Sequence, residues 1–464
     1  MNLERLVAAL DPVDVLGRAP VDVSDLAYDA RAAAPGSLFF CVPGARADGH
    51  EFAPEAVERG AVALVVEREL ELPVPQVVVA SARAAMAVAA DEFFDRPTEE
   101  LEVVGVTGTS GKTTTSFLLF AILAAAGRRP GLLGTVEARV GGERRGVVRT
   151  TPEAIDLQRT FREMLDAGDR SCAMEASSHA SELHRLDRVR FSALVFTNLS
   201  QDHLDFHGDM ESYFAAKRRL FVDGDAPAAV NVGDEYGRRL AAELPGALTY
   251  SLAGDAAIGP DALAGVDLKL RGSFNAENAL GALAAARLLG IDDDAIARGL
   301  ESVRGVPGRF ESVDEGQSFT VIVDYAHKPG ALENVLRAAR ELAGGSRVIC
   351  VVGAGGDRDR GKRPVMGRLA SELSDHVIVT SDNPRSEDPQ AIIDEIVAGA
   401  AGNVDVEPDR GAAIARAVEL AREGDVVLIA GKGAEQGQQF ADRTIPFDDR
   451  EAAREALRAL GAAT

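Results

Sequence analysis

Short apolar runs alternate with longer amphipathic segments along this chain of 464 residues. Apolar runs that end in Gly, Asp or Ser are typical of buried strands, and the segments between them have helical length and spacing. We predict helices at 83–94 and 113–127, and strands at 38–44, 61–67, 101–108, 171–177, 192–200, 228–234, 319–327, 346–357, 375–382 and 425–433. This alternation predicts an α/β fold with mainly parallel sheets that helices cover on both faces.

The chain length suggests roughly three domains of about 150 residues each. A charged, Pro-containing linker at 95–100 ends the first segment, so we predict domains at 1–98, 99–308 and 309–464. Ligands bind such sheets at the carboxyl ends of the strands. The polar motifs of this chain all follow predicted strands, which makes them candidate sites.

Composition narrows the class of protein. A net charge of −23 disfavours general binding to nucleic acid or to anionic membranes. No apolar run is long enough to span a membrane, and the start, MNLERLVAALDP, does not resemble a signal peptide. The three cysteines (Cys41, Cys172 and Cys350) are far apart, so we expect core thiols in a reducing cytoplasm rather than disulfides or a zinc site.

Lysine usage singles out particular loops. Arg supplies 44 of the 50 basic residues, and the six lysines are Lys112, Lys217, Lys269, Lys328, Lys362 and Lys432. Only Lys deprotonates readily, whereas Arg stays charged. Five of the six lysines lie in or near Gly-, His- or Asp-rich motifs, and these are candidates for specific chemistry.

The strongest local motif is TGTSGKTTT (107–115), which follows a strand and begins a helix. Its glycines allow backbone N–H groups to approach phosphate oxygens, Lys112 can reach the terminal phosphates, and the Thr113 hydroxyl can hold Mg²⁺. Val106 stands where the usual phosphate loop has its first Gly. The strand–loop–helix context nevertheless predicts a nucleotide site.

Other motifs are ambiguous when each is taken alone. Glu175 ends a strand, as a Mg²⁺ ligand near a phosphate loop would, but it could be a solvated acid. TNLSQDHLDFHGD (197–209) is either a cation or phosphate site or a polar loop. Lys217 on a short helix could be a surface residue, and Asn275 and Asn278 at a helix start are usually caps.

The stretch VIVTSDNPRSEDP (377–389) allows two interpretations. A buried strand ends in Asp382, Asn383, Pro384 and Arg385, which could form only a rigid turn. Arg also binds carboxylates in bidentate fashion, so the same residues could recognise an acidic substrate.

Together, these motifs resemble those of the Mur ligases, the ATP-dependent amide-forming enzymes of peptidoglycan synthesis. TGTSGKTT, MEASSH, TNLSQDHLDFHGD, the Lys217 helix, FNAEN, DYAHKP and GGDRDRGKRP occur in the family's order over nearly the whole chain. The match is best to the members that add the third residue of the stem peptide. The resemblance implies a uridine-nucleotide-binding domain, a central P-loop-type ATPase and a C-terminal Rossmann-like domain.

The resemblance also implies residue roles. ATP and Mg²⁺ at two sites would be the cofactors, and CO₂ would carbamylate Lys217. The metal ligands would be Thr113, Glu175, His203 and carbamylated Lys217, which with Lys112 form the catalytic set. The nucleotide would contact Gly108, Thr109, Ser110, Gly111, Lys112, Thr113, Thr114, Asn278, Arg309 and Asp324. The UDP-MurNAc-dipeptide and the amino acid would contact Ala30, Ala45, Arg46, Ala47, Thr150, Thr151, Ser177, Arg185, Arg358, Asp382, Asn383, Pro384, Arg385, Gly431 and Glu435.

The resemblance implies the addition of meso-diaminopimelate to UDP-MurNAc-L-Ala-D-Glu, by a protein that is a monomer in the cytoplasm. Arg385 would bind the far carboxylate of the amino acid, which L-lysine lacks. Two positions depart from the family: Ala434 replaces the expected His in GKGAE, and Ala30 replaces a common Ser. The alternatives are a ligase for L-lysine or another diamino acid, a folylpolyglutamate or cyanophycin-type ligase, and a nucleotide-binding scaffold without activity.

Overall fold

The computed structural model describes residues 1–17, 20–44, 47–402 and 404–463, with side chains described as far as residue 461. Three mainly parallel sheets follow one another along the chain, and a fourth, small sheet has two strands. The predicted α/β class is therefore confirmed. Within the described residues, no helix is long and apolar enough to cross a membrane.

The first sheet has the strand order β1-β5-β4-β3-β2, and only the edge strand β1 is antiparallel to its neighbour. Short 3₁₀ helices lie at Ala30–Ala32, Gly49–Phe52 and Pro97–Glu99. The other elements are α1 (Leu3–Leu10), β1 (Asp14–Leu16), β2 (Asp25–Ala27), β3 (Ser37–Phe40), α2 (Ala53–Glu58), β4 (Ala63–Val66), β5 (Gln76–Val78) and α3 (Ala82–Phe93).

The second sheet has the order β13-β12-β11-β6-β10-β7-β8-β9, in which only the β7-β8-β9 pairings are antiparallel. A 3₁₀ helix lies at Pro260–Leu263. The elements are β6 (Glu102–Thr107), α4 (Lys112–Ala125), β7 (Pro130–Leu133), β8 (Ala138–Val140), β9 (Glu143–Arg145), α5 (Ala154–Asp166), β10 (Ser171–Glu175), α6 (Ser178–Glu182), β11 (Phe191–Phe196), α7 (Leu204–His207), α8 (Met210–Val222), β12 (Ala228–Asn231), α9 (Glu235–Glu243), β13 (Leu248–Tyr250), α10 (Ser273–Leu288) and α11 (Asp293–Ser302).

The third sheet has the order β14-β15-β19-β16-β17-β18, with β14 antiparallel at one edge. The strands β20 and β21 form the small fourth sheet. The elements are β14 (Glu311–Val313), β15 (Thr320–Asp324), α12 (Pro329–Ala343), β16 (Val348–Val352), α13 (Lys362–Leu373), β17 (His376–Val379), α14 (Pro389–Val397), β18 (Val404–Val406), α15 (Arg410–Leu420), β19 (Val426–Ala430), β20 (Gly437–Gln439), β21 (Thr444–Pro446) and α16 (Asp449–Ala463).

All ten predicted strands and both predicted helices are present, with ends that differ by a few residues. The three cysteines are buried and free, as expected. The expectation of a linker at 95–100 was wrong in one respect: the 3₁₀ helix Pro97–Glu99 buries Pro97 and Thr98. Thr98 also accepts a hydrogen bond from the backbone N–H of Arg190, so this segment packs against the second sheet's unit.

The third sheet contains a fully buried ion pair that no motif indicated. Both Arg410 and Asp449 have fully buried side chains, and the guanidinium donates two hydrogen bonds of 2.7 Å to the carboxylate. A second donor of Arg410 reaches the carbonyl of Ala430, at the end of β19. The pair therefore fixes α15, α16 and the carboxyl end of β19 relative to one another.

We predict that Asp449→Asn destabilises this part of the fold by about 3–5 kcal/mol, because it leaves the Arg410 charge buried without its carboxylate. Native-state hydrogen exchange of the β19 amides would measure the loss. The matched control is Glu315→Gln, which removes the acid of the more exposed pair with Arg458 and should cost about 0–1 kcal/mol. Equal losses for the two variants would contradict the prediction.

Candidate active site

The phosphate-loop motif connects β6 to α4 and requires glycine at two positions. Gly108 has φ +145°, and a Cβ there would lie 1.8 Å from Thr197 Oγ1. Gly111 has φ +88°, and a Cβ there would lie 2.3 Å from Asn278 Oδ1. Both positions are in backbone regions that favour Gly, so the loop is held close to β11 and α10. The strand–loop–helix context predicted for TGTSGKTTT is confirmed.

Two buried lysines converge on this loop. The Nζ of Lys112 donates to the carbonyls of Gly108 at 2.7 Å and Thr109 at 3.0 Å, and the Nζ of Lys217 donates to Gly108 at 2.9 Å. Burial lowers the pKa of Lys112 to about 8, and burial followed by the charge of Lys112 lowers that of Lys217 well below its usual value. The side chain of Lys217 is only 1% exposed, which excludes the surface interpretation.

Glu175 lies beside the start of the loop helix because β10 pairs in parallel with β6. Its Oε1 accepts hydrogen bonds from Thr113 Oγ1 at 3.0 Å and from the Thr135 N–H at 2.7 Å, and its Oε2 accepts one from Thr135 Oγ1 at 3.0 Å. A buried carboxylate and a hydroxyl next to a phosphate loop are the hard oxygen donors that Mg²⁺ prefers. Thr113 and Glu175 therefore fit a magnesium ion.

His203 and Lys217 both lie near the ring of Tyr213. The His203 ring is 6.2 Å from the Tyr213 ring, centroid to centroid, and Lys217 Nζ is 4.8 Å from the same centroid. His203 Nε2 is 2.9 Å from Asp202 Oδ2. Among the described residues, no group of three or more His, Cys, Asp and Glu side chains is arranged to hold a metal ion.

Four residues expected to bind the first substrate surround the end of β10. Thr151 Oγ1 donates to the Glu175 carbonyl at 2.8 Å and accepts from the Ser177 N–H at 3.1 Å. Arg185 donates to the Thr151 carbonyl at 3.1 Å, and Thr150 Oγ1 is 3.0 Å from Thr135 Oγ1. The structure therefore brings Thr150, Thr151, Ser177 and Arg185 together beside Glu175.

Residues of the third sheet's unit reach the phosphate loop. Arg309 Nη2 donates to Thr113 Oγ1 at 3.2 Å, and Lys328 pairs with Asp202. Asp324 accepts backbone hydrogen bonds from Phe310 and Ala326, and burial raises its pKa to about 6 although Arg309 opposes the shift. The site around the phosphate loop is thus built from the parts of the chain that carry the second and the third sheet.

Neither Asn275 nor Asn278 caps α10, which excludes one of the two interpretations that the sequence left open. The N-cap of α10 is Gly272, without a side-chain hydrogen bond. Asn278 is buried and donates to Asn275 Oδ1 at 3.2 Å, while its own Oδ1 accepts from Thr115 at 3.5 Å. Asn278 therefore packs α10 against the loop helix α4.

A cleft of about 1120 Å³ joins these groups. Most of the expected ATPase and dipeptide residues line it: Thr109, Ser110, Gly111, Lys112, Thr113, Thr114, Thr150, Thr151, Glu175, Ser177, Arg185, His203, Lys217, Asn278, Arg309, Asp324 and Arg358. Ala30 and Ala47 do not line it; Ala30 is buried in the first unit's 3₁₀ helix. Ala45 and Arg46 lie outside the described residues.

A second cluster lies at the carboxyl ends of β17 and β19. Asn383 Nδ2 donates to Glu435 Oε2 at 2.9 Å, and its Oδ1 accepts from Lys432 Nζ at 2.8 Å and from the Gln439 N–H at 2.9 Å. The fully buried Lys432 is also 3.2 Å from Glu435 and 3.6 Å from Asp382. The loop 382–385 and the GKGAE loop therefore form one hydrogen-bonded unit.

Arg385 connects this unit to the glycine-rich loop after β16. Its backbone has φ +52°, and its Nη1 donates to the Gly356 carbonyl at 2.7 Å. Burial, and then the nearby charge of Arg358, lower the pKa of Arg385. Two guanidinium groups close enough to oppose each other's charge favour an anion between them. Asp388 and Pro389, at the end of the same stretch, have a structural role: Pro389 begins α14, and the side chain of Asp388 caps the helix.

Sequence reasoning missed two contributors, Thr135 and Arg363, and gave a third, Lys432, no specific role. Thr135 orients Glu175, and Lys432 supports Asn383. The fully buried Arg363 binds Glu387 and Glu395, and so holds the glycine-rich loop after β16 in place. The scarcity of lysine was a signal for Lys432. Nothing in the pattern marked Thr135 or Arg363, because their partners are distant in sequence.

Comparisons with known proteins agree with this geometry. Family models match residues 22–102 (Mur ligase family, catalytic domain), 106–286 (Mur ligase middle domain) and 308–433 (Mur ligase, glutamate ligase domain). The UDP-N-acetylmuramoyl-L-alanyl-D-glutamate--2,6-diaminopimelate ligase of Solibacter usitatus (strain Ellin6076) is 47% identical, over 96% of this chain and 95% of the relative. The chain belongs to the Mur ligase family.

Other Mur ligases support the same assignment. The enzyme of the same name from Geobacillus kaustophilus (strain HTA426) is 46% identical over 95% of this chain and 96% of its own. A solved structure with that name is 30% identical, with a TM-score of 0.67, and covers 97% of this chain and 98% of the other. A MurF ligase from Thermotoga maritima, solved in complex with ADP, is 20% identical over 94% of this chain and 97% of the other, with a TM-score of 0.60, and shows the fold alone.

Proposed function

We propose that this Mur ligase adds meso-diaminopimelate to UDP-MurNAc-L-Ala-D-Glu and converts ATP to ADP and phosphate. One observation carries the proposal: Lys112 and Thr113 face Glu175 in a cleft that Arg309, from the third sheet's unit, completes. Relatives at 46–47% identity over nearly the whole chain bear the name of this activity. The product is a cytoplasmic precursor of peptidoglycan, used for cell-wall growth, cell shape and division.

We assign roles to the residues around the cleft from their positions and their chemistry. The loop residues 108–114 bind the ATP phosphates, and Asn278, Arg309 and Asp324 contact the nucleotide. Thr113 and Glu175 would hold one Mg²⁺, and Glu175, His203 and a carbamate on Lys217 would hold a second; the ions would neutralise charge on the phosphates. Lys112 neutralises charge on the transferred phosphate. These roles assign ATP binding to the predicted domain 99–308, with help from 309–464.

The first substrate approaches from the side of the predicted domain 1–98. Thr150, Thr151, Ser177 and Arg185 hold the dipeptide next to the ATP phosphates, and Ala30 and Ala47 contact the uridine end through backbone groups. The D-Glu carboxylate attacks the γ-phosphate, which gives an acyl phosphate and ADP. The amine of diaminopimelate then attacks the acyl carbon and phosphate leaves. The protein acts as a monomer. Closure of the predicted domain 309–464 over the cleft excludes the water that would hydrolyse the intermediate.

The amino acid binds at the cluster that joins β17 and β19. Arg385 and Arg358 bind the far carboxylate of diaminopimelate, and Glu435, with Gly431, binds an amine. Asp382, Asn383 and Pro384 keep Arg385 in position. In the GKGAE loop, Ala434 replaces the His of the family. The loop keeps its conformation because Lys432 links Asn383 to Glu435.

A phosphate-release assay tests the proposal. We expect ADP and phosphate to form only when ATP, Mg²⁺, UDP-MurNAc-L-Ala-D-Glu and meso-diaminopimelate are all present. Comparable phosphate release with a folate substrate and glutamate would favour the folylpolyglutamate-type alternative. Nucleotide binding without release under any of these conditions would favour the inactive scaffold.

We predict that Lys432→Met raises the KM for meso-diaminopimelate at least about 10-fold, since charged hydrogen bonds of about 1.5–3 kcal/mol are lost. The KM for ATP should stay within about 2-fold, because Lys432 does not line the ATP cleft. Steady-state kinetics with each substrate varied in turn would measure both. The control is Lys269→Met at an exposed lysine; a similar KM change in it would contradict the prediction.

A further inference from the structure

A second cavity lies on the far side of the loop helix. It has a volume of about 490 Å³, which is within the usual range for small-molecule pockets. Its walls come from α4, from the β8–β9 hairpin, and from the end of α11 with the segment 302–307 that leads to the third sheet's unit. It shares no lining residue with the large cleft. The mechanism proposed above makes no use of it.

The charged groups of this cavity are mostly arginines. Arg139, Arg144, Arg298 and Arg304 line it together with one acid, Glu137, so four positive charges face one negative charge. Glu137 pairs with Arg139 and Arg144. Within the part of the chain that the structure describes, Arg298 and Arg304 have no ion pair. An excess of three positive charges in a chain of net charge −23 favours an anion.

The floor of the cavity is apolar and contains aromatic rings. Phe117 and Phe120 come from the outer face of α4, and alanines on the same helix leave space beside them. The guanidinium carbon of Arg139 is 4.6 Å from the centroid of the Phe120 ring. Arg binds phosphate in bidentate fashion and also stacks on flat rings. The apolar floor and the arginines of the cavity together match a molecule with a planar apolar body and a dianionic group.

We propose that this pocket binds a small aromatic phosphate as a second ligand, separate from the substrates of the ligase reaction. Its planar body lies on Phe120 and the Arg139 guanidinium, and its phosphate is bound by Arg298 and Arg304. The ring and the phosphate contact different residues. We therefore expect an uncharged ring alone, or free phosphate alone, to bind more weakly than a molecule that has both.

The position of the pocket couples it to the active site. The helix α4 begins at Lys112, and the segment 302–307 leads within two residues to Arg309, whose side chain donates to Thr113. A ligand between α4 and this segment therefore contacts the helix that carries Thr113 and also the segment that leads to Arg309. Its affinity should change when nucleotide occupies the cleft, and the coupling is reciprocal.

Isothermal titration of the full chain with 2-naphthyl phosphate tests the proposal, with and without saturating ADP and Mg²⁺. We expect one site per chain in both conditions, at least about 10-fold tighter than for 2-naphthol or inorganic phosphate. The double variant Arg298→Ser, Arg304→Ser should weaken binding at least about 10-fold. Both arginines are exposed, so folding should be unaffected.

The matched control is the double variant Arg188→Ser, Arg422→Ser, which removes two exposed arginines elsewhere and changes the charge equally. It should bind the probe as the unaltered chain does. The proposal is overturned if ADP displaces the probe completely, if the control loses as much affinity as the test variant, or if neither loses any. Ligase activity does not enter this measurement, so the proposed function and this site can fail separately.

Discussion

Replacing Lys217 by Ala is expected to lower kcat at least about 10³-fold, because the proposed second metal loses its anionic ligand. The side chain is buried against the Gly108 carbonyl, and no carboxylate lies within ion-pair distance of it among the described residues. Carbamylation would convert this amine into a carboxylate-like group beside Tyr213 and His203. Arg cannot replace it, since the guanidinium does not give up its proton readily.

The measurement is phosphate release by Lys217→Ala with all substrates present. Lys269→Ala, at the exposed lysine that pairs with Asp267, is the matched control and should keep normal activity. Added formate or acetate should restore part of the rate if a missing carboxylate is the defect. A ¹³C-bicarbonate NMR signal for the carbamate should be present in the control and absent in the variant. A normal rate for Lys217→Ala would exclude the carbamate role.

Replacing Arg385 by Ala is expected to raise the KM for meso-diaminopimelate at least about 30-fold, which corresponds to about 2 kcal/mol. The guanidinium is half-buried beside Arg358, and the substrate's far carboxylate would lose its bidentate partner. The KM for ATP should change less than about 2-fold, because Arg385 lies outside the ATP cleft.

A panel of amino acids run side by side gives the specificity. The unaltered protein should prefer meso-diaminopimelate to L-lysine by about 2–5 kcal/mol, since L-lysine leaves the half-buried guanidinium of Arg385 without a carboxylate. Arg385→Ala should narrow that preference. Arg360→Ala, at an exposed arginine of the neighbouring loop, should leave it unchanged. Equal turnover of L-lysine by the unaltered protein would support the alternative ligase instead.

Local pattern was enough to predict ten of the 21 described strands and the phosphate loop. Apolar runs must be buried, and a parallel sheet buries them on both faces, so the strands could be located without knowing their order. The loop 107–115 was identifiable because its glycines, Lys112 and Thr113 are consecutive in sequence. Arg363 and the Arg410–Asp449 pair could not be found in this way, because residues far apart in sequence give each of them its environment.

The sequence by itself determined the α/β class, the order of the motifs and the residue types that phosphate, metal and carboxylate chemistry require. These features depend on neighbouring residues and on periodicity. Only the tertiary structure decided that Lys217 is buried rather than exposed, that Asn278 packs rather than caps, and that Lys432 joins the loops of β17 and β19. Strand order decides these points, because it selects which loop ends meet at one edge of a sheet.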